Sequence, residues 1–277
     1  MEINNISSPY NYNCQFLANI QSHKLKFKQE DFFVKIRGYG RNTNWANEVK
    51  NTADTATNLI RRNTSLENIL KIISMQLRKA NQLTTDIDKK NHTGILRIFK
   101  NGWLHGSSWD GFNLCTSYNG KDSKRYQCYA DRLDGVVKKP LNNSLNISLT
   151  TPMIGKEDHY LEHGHPRKIE KAFGIIAKTF EHFRKNYNYK NIQKSDLSGV
   201  NNDVAKIRWV LAHATPWERG SDAISNILMR AMYKSLGIKS YPLKKGVSLD
   251  MEAYCTNLRD YKKNFASYFE KTPEIIE

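Results

Sequence analysis

Cysteine is scarce in this chain: Cys14, Cys115, Cys128 and Cys255 lie far apart among 277 residues and form no C-x-x-C pair. That argues against a cysteine-held structural zinc and for a reducing compartment, although Cys115 and Cys128 could meet across a hairpin. Long apolar runs are missing as well. None approaches the roughly 18 residues that a membrane span needs, so no membrane anchor is expected. The opening Met1-Glu2-Ile3-Asn4-Asn5 has neither the basic nor the apolar region of a cleaved signal and does not begin Met-Gly, which argues against a signal peptide and against myristoylation. Acidic residues are few, 27 against 43 lysines and arginines, which gives a formal net charge of +16.

Such a field attracts nucleic acid, acidic headgroups and anionic nucleotides alike. The basic pairs, however, are spread along the chain, at Arg61-Arg62, Lys89-Lys90, Lys138-Lys139, Lys244-Lys245 and Lys262-Lys263, without an arginine-rich arm, a zinc finger or an RNP-type aromatic motif. They read as a solvated basic surface and not as a dedicated nucleic-acid partner site. Hydrophobic residues make up 39%, with five tryptophans, enough for a folded domain with a proper core.

The expected fold is mainly α. Residues 1–41 read as an irregular, Asn- and aromatic-rich lead. A single domain then fills 42–277, with a loop-rich insertion at about 110–160. Trp45 to Arg62 reads as a helix, and Thr64-Ser65-Leu66-Glu67 starts a second one with Ile69, Ile72, Ile73 and Leu77 on one face. Gly94 to Phe99 is β-like, Asn101-Gly102 is a hairpin turn signal and Trp103-Leu104-His105 returns as the partner strand. Helical spacing resumes at Ile169, Phe173, Ile176, Phe180 and Phe183. It continues in two helices, Asn201 to Ala214 and Ser221 to Leu236, and in a C-terminal pair between Asp250 and Phe269.

The most informative stretch is Ala214-Thr215-Pro216-Trp217-Glu218-Arg219-Gly220-Ser221-Asp222, where a Pro- and Gly-punctuated turn delivers an arginine to a helix start. Gly220 permits close backbone approach to a ligand, Ser221 and Asp222 are helix-start residues, and the first N–H groups of the helix make an anion site that Arg219 would strengthen. Arg219, Gly220 and Ser221 are therefore candidate phosphate-binding residues. A capped helix with a surface arginine is the plainer reading of the same residues. The cluster His159, Glu162, His163 and His165 lacks the partners and spacing of a metal site, so no metal is expected. Histidines at a loop-to-helix junction more often bond backbone or ligand, and an unpaired His163 titrating near neutrality suits proton transfer or phosphate contact. His105 and His213 read as structural.

Arg208-Trp209, Ala214-Thr215-Pro216, Arg219-Gly220-Ser221-Asp222-Ala223, Gly237-Ile238 and Gly246-Val247-Ser248-Leu249-Asp250-Met251-Glu252-Ala253 resemble the AvrB family of bacterial type III effectors, which have the Fic/Doc-like (Fido) fold. Upstream, Phe99-Lys100-Asn101-Gly102-Trp103-Leu104-His105-Gly106 resembles that family's Y-R-Q-T-A-Y-L-H-G hairpin, and Trp45 to Ala80 its first helical pair. The resemblance spans about 45 to 270 and is strongest at the C-terminal end. It implies a Fido-like helical core with a small β-hairpin, secretion by a bacterial specialised system into the host cytoplasm, and a host protein as target. The arginine of the family's R-G-S-A-A element matches Arg219, facing ligand phosphates. The aspartate of V-S-D-I-E-A matches Asp250, with Leu249 inserted, as the group that activates an acceptor hydroxyl or orients a sugar. The pocket histidine of an I-D-H segment matches His163. The family's ligand-contacting threonine is left open between Thr84 and Thr85.

Fic enzymes that transfer AMP carry H-P-F-x-D/E-G-N-G-R, and Thr215 stands here in place of that histidine. Threonine is no general base at neutral pH. The Gly-Asn-Gly run and the acidic metal ligand are also reduced, so standard adenylyl transfer is poorly supported; the activity that the AvrB resemblance implies is transfer of a sugar from a nucleotide sugar to a protein Ser/Thr, without a metal or other cofactor. In that reaction Asp250 and His163 are the candidate catalytic residues. Fic-type nucleotidyl transfer and a non-catalytic module that grips a host protein are the alternatives.

Overall fold

Asn42 opens the first long helix by accepting a hydrogen bond from the Trp45 N–H at 2.9 Å, which pairs one of the donors a helix start leaves open. In this computed structural model, residues 25–36, 41–84, 87–100, 103–105, 111–113, 127–154 and 159–276 are described. Helix α1 (Thr43–Arg61) buries Ala46, Val49, Ala53, Ala56 and Ile60 on one stripe. Helix α2 (Leu66–Asn81) starts at Ser65 and buries Leu66, Ile69, Leu70, Ile73 and Leu77, with Ile72 half-buried at the margin. A short α3 (Ile87–His92) leads into β1 (Ile98–Lys100), which pairs antiparallel with β2 (Trp103–His105) as the hairpin signal predicts. The turn at 101–102 lies outside the described residues.

Two parts of the chain carry more order than their composition suggests. Helix α4 (Ala130–Lys138) stands inside the stretch of about 110–160 that reads as a loop-rich insertion, and it buries Leu133 and Val136. Gly135 inside it costs about 1 kcal/mol of helix propensity. What holds the helix is tertiary, since Arg132 forks onto both oxygens of Glu252 at 2.8 and 2.7 Å. In the N-terminal lead, Phe27, Phe32, Phe33 and Val34 are buried. Two cations cover the aromatic faces there: the Arg230 guanidinium lies 5.6 Å from the Phe32 ring and Lys234 Nζ 4.5 Å from the Phe27 ring.

Strands β3 (Gly111–Asn113), β4 (Thr151–Ile154) and β5 (His159–Glu162) form an antiparallel sheet in the order β3-β5-β4. Helices α5 (Ile169–Asn186), α6 (Leu197–Ala214) and α7 (Ser221–Ser235) follow. Residues 224–236 are buried without a break and 207–214 likewise, so α6 and α7 are core helices and not amphipathic surface ones. Helix α7 packs against α1, α2 and α6, while α6 also packs against α5 and the two short helices α8 (Leu249–Cys255) and α9 (Leu258–Asn264). Strands β6 (Ile238–Lys239) and β7 (Glu274–Ile275) pair beyond α7. The protein is mainly helical, in agreement with the sequence reading.

One link in this architecture joins distant parts of the chain. Residues 93–97 do not extend the β1–β2 hairpin but run beside 216–219, through Arg97 N–H to Pro216 O at 2.9 Å, Glu218 N–H to Ile95 O at 2.8 Å and Gly94 N–H to Arg219 O at 3.1 Å. Gly94 has φ +71°, and a Cβ there would sit 2.6 Å from Ser74 O. Gly94→Ala is therefore expected to cost about 3 kcal/mol, from left-handed strain plus a contact with rigid backbone. It should lower the urea midpoint at unchanged slope, and an unchanged midpoint would show that this segment is not fixed against α2.

Candidate functional site

The turn between α6 and α7 is built from both of its ends. Helix α6 stops at Thr215, which adopts the left-handed conformation (φ 37°, ψ 61°) ahead of Pro216. Arg97, itself buried, holds that residue: Nη1 donates to Thr215 Oγ1 at 2.7 Å and to Thr215 O at 3.2 Å. Its Nη2 donates to Gly164 O at 2.7 Å. Gly220 has φ +86°, and a Cβ on it would come 3.1 Å from Thr93 Cγ2 and 3.2 Å from Leu77 Cδ2. Its bare side faces the protein interior, so packing and backbone conformation already account for the glycine. Ser221 spends its hydroxyl inside the turn, on Trp217 O and on the Trp217 N–H, both at 3.2 Å. What Ser221 can offer an anion is its N–H, one of the first donors of α7. Arg219 is half-buried on the same turn.

Asp250, in the first turn of α8, meets the start of α7 through a buried arginine. Arg208 Nη2 donates to Asp250 Oδ1 at 2.9 Å and to Asp222 Oδ1 at 2.7 Å. Arg208 is 1% exposed, while the side chains of Asp250 and Asp222 are 13% and 35% exposed. Burial opposes the arginine's charge, but the two carboxylates outweigh it and hold the guanidinium above its ordinary range. Asp250 moves upward, to about 7, first because burial disfavours its charge and then because Asp222 is beside it, with Arg208 working in the opposite direction. A carboxyl group in that range can take and release a proton at neutral pH.

His163 lies just beyond β5, in a different setting from the one expected. Thr150 donates its hydroxyl proton to His213 O at 2.9 Å, so its Oγ1, 3.1 Å from His163 Nδ1, accepts from the imidazole. That assigns the ring proton to Nδ1. Burial, then Arg97, then His213 hold the ring down to about 3. His163 is thus a neutral imidazole and does not titrate near neutrality. That favours the role of a neutral hydrogen-bonding group over a cationic contact with phosphate. His213, fully buried with Nε2 3.1 Å from Ala253 O and its ring 4.2 Å from that of Trp209, fits the structural reading. His165 accepts from Arg167 N–H at 3.2 Å and caps a 3-10 turn. Thr84 donates to Asn81 O at 2.8 Å, whereas Thr85, Cys115 and the side chain of His105 lie outside the described residues.

The structure brings the expected residues onto one belt. Arg97 ties the loop of His163 to Thr215. The Thr215–Gly220 turn carries Arg219 to the start of α7, and Asp222 in its first turn reaches Asp250 through Arg208. Residues 144–272 match the family model AvrB_AvrC, described as avirulence protein. The C-terminal part of this chain is similar to that family. The comparison with curated proteins found no match. The AvrB_AvrC stretch holds His163, Arg208, Arg219, Asp222 and Asp250. Arg97, α1 and α2 lie upstream of it.

Arg97, Arg208 and Asp222 are the members that the sequence reading missed as site residues. Arg97 sits in a β-like run and carries no motif. Asp222 reads as a helix-start residue, which it also is. For Arg208 a signal exists: a cation inside the apolar run Ile207-Arg208-Trp209-Val210-Leu211 needs buried anions close by.

Proposed function

We propose that this protein is a host-directed effector that binds a nucleotide sugar on a Fido-type scaffold and transfers the sugar to a Ser or Thr hydroxyl of a host protein. The observation that carries this reading is Asp250, a near-neutral carboxyl group tied through buried Arg208 to the first turn of α7, the helix that Arg219 precedes. Arg219 and the first N–H groups of α7 hold the diphosphate. The bond between the anomeric carbon and the diphosphate breaks, with its electron pair leaving on the nucleoside diphosphate. The acceptor hydroxyl oxygen bonds to that carbon, and its proton passes to ionised Asp250 and on to solvent. Thr215, whose hydroxyl is engaged by Arg97, takes no proton. His163, neutral and half-buried, orients a hydrogen-bonding group of the ligand. Delivery runs through a bacterial specialised secretion system, and neither metal nor nucleic acid takes part.

Incubating the full chain and a host-cell extract with labelled nucleotide sugars, and separately with ATP labelled in the adenosine and α-phosphate, tests the reaction. Sugar label on host protein is the expected result; adenylyl label would show Fic-type transfer instead, and no label from either would leave a binding module. Arg219→Ala is expected to weaken nucleotide-sugar binding about 10- to 100-fold, the loss of one or two charge-assisted hydrogen bonds, with the fold intact. Calorimetry in the presence of a chelator measures this. Unchanged affinity would return Arg219 to the surface arginines, and binding that collapses in chelator would show a metal to be required.

A further inference from the structure

Two carboxylates and one cation meet at a single nitrogen. Arg208 Nη2 donates to Oδ1 of both Asp222 and Asp250, at 2.7 and 2.9 Å, so the two carboxylate oxygens are held within one hydrogen-bonded group. The arginine is fully buried and offers one positive charge against two negative ones. The groups facing this pair come from every helix around it. Helix α6 gives Arg208, and α7 gives Asp222 and, about two turns further along, Arg230, which also faces Arg208. Helix α9 gives Tyr261, whose hydroxyl donates to Leu249 O at 3.2 Å. Glu252, two residues beyond Asp250 on α8, turns away to Arg132 of α4. Arg208 is the cation that acts on Asp250 most strongly.

We propose that Asp222 is a positioning residue of the site: with Asp250 it shares one proton across Arg208 Nη2, and this makes Asp250 the group that carries the proton in the transfer reaction. The inference rests on the glycosyl-transfer reading for its purpose but not for its existence. When Asp250 holds the proton, Asp222 carries the negative charge and Arg208 is balanced one to one. When Asp250 is ionised, the pair is one negative charge in excess, and a proton released by an acceptor hydroxyl relieves it. Asp222, the more exposed of the two, supplies the like charge that keeps Asp250 basic.

The test reads the carboxyl groups of the whole protein without any ligand. Carbon-13 NMR of the aspartate side-chain carboxyls is followed against pH, with the Asp250 resonance assigned by its loss in Asp250→Asn. The wild type is expected to show Asp250 titrating near neutrality with a coupled step at Asp222. Asp222→Asn, which keeps shape and removes charge, should lower the Asp250 midpoint by about one pH unit or more, and Asp222→Glu should restore most of it. An Asp250 that titrates in the ordinary carboxylate range, or a midpoint unmoved by Asp222→Asn, overturns the proposal. In a sugar-transfer assay, the acidic limb of the pH profile should move down by the same amount in Asp222→Asn. If the resonances behave as expected and no sugar transfer occurs at any pH, the shared proton stands and the glycosyl-transfer reading fails.

Discussion

Asp250→Asn is expected to reduce sugar transfer by about 10²–10⁴-fold while leaving nucleotide-sugar affinity within a few-fold of wild type, because the amide keeps the size of the side chain and loses its basicity. The geometry sharpens that expectation. Asp250 Oδ1 accepts from Arg208 Nη2 at 2.9 Å, and an asparagine can present its own carbonyl oxygen to the same donor, so the contact between α6 and α8 survives. Thr215→Ala gives the contrast. It deletes the hydroxyl that accepts from Arg97 Nη1 at 2.7 Å, which costs about 1–3 kcal/mol of stability, but it removes no group that handles a proton and should leave transfer nearly intact. Initial rates and calorimetric affinities of the two variants, at one pH above the midpoint of Asp250, decide the matter. A Thr215→Ala loss larger than that of Asp250→Asn would favour Fic-like chemistry at the end of α6.

The long helices are legible in the sequence because period and cap agree. Asn42 and Ser65 open α1 and α2 where the apolar stripes begin, and Gly220 opens α7 after a proline turn. The β1–β2 hairpin is legible for the same local reason. What the sequence does not disclose depends on contacts between distant residues. Helix α4 carries a glycine in mid-course and is held by the Arg132–Glu252 fork. The lead from Phe27 to Val34 is ordered by arginine and lysine faces on α7. The alignment of 93–97 with 216–219 joins segments more than a hundred residues apart. The site divides along the same line. Arg219 stands out because its turn is a local feature and Asp250 because its segment resembles the family's, whereas the pairing of Asp222 with Asp250 exists only once α6 brings Arg208 between α7 and α8. His163 shows the reverse case, a residue found by local context whose protonation is set by the distant Arg97 and His213.

Removing that central cation should have the largest effect on stability. Arg208→Met fills much of the volume but leaves Asp250 and Asp222 without the donor they share, and breaking a buried ion pair from one side costs about 3–5 kcal/mol. The loss should depend on pH in a defined sense. Asp250 has its folded value raised, to about 7, above the ordinary carboxylate value, so the folded state binds the extra proton between the two and stability falls as pH rises through that window. Without Arg208, which opposes the rise, the folded value climbs further and the window extends above neutrality. The variant should therefore come closest to wild type near pH 5, where Asp250 is protonated in both, and fall furthest behind at about pH 8, where the wild type has already ionised this group against its arginine. Urea unfolding of both proteins across that range supplies the measurement. A gap that stays constant with pH would mean that Arg208 acts through packing alone and that the two aspartates do not depend on it for their charge.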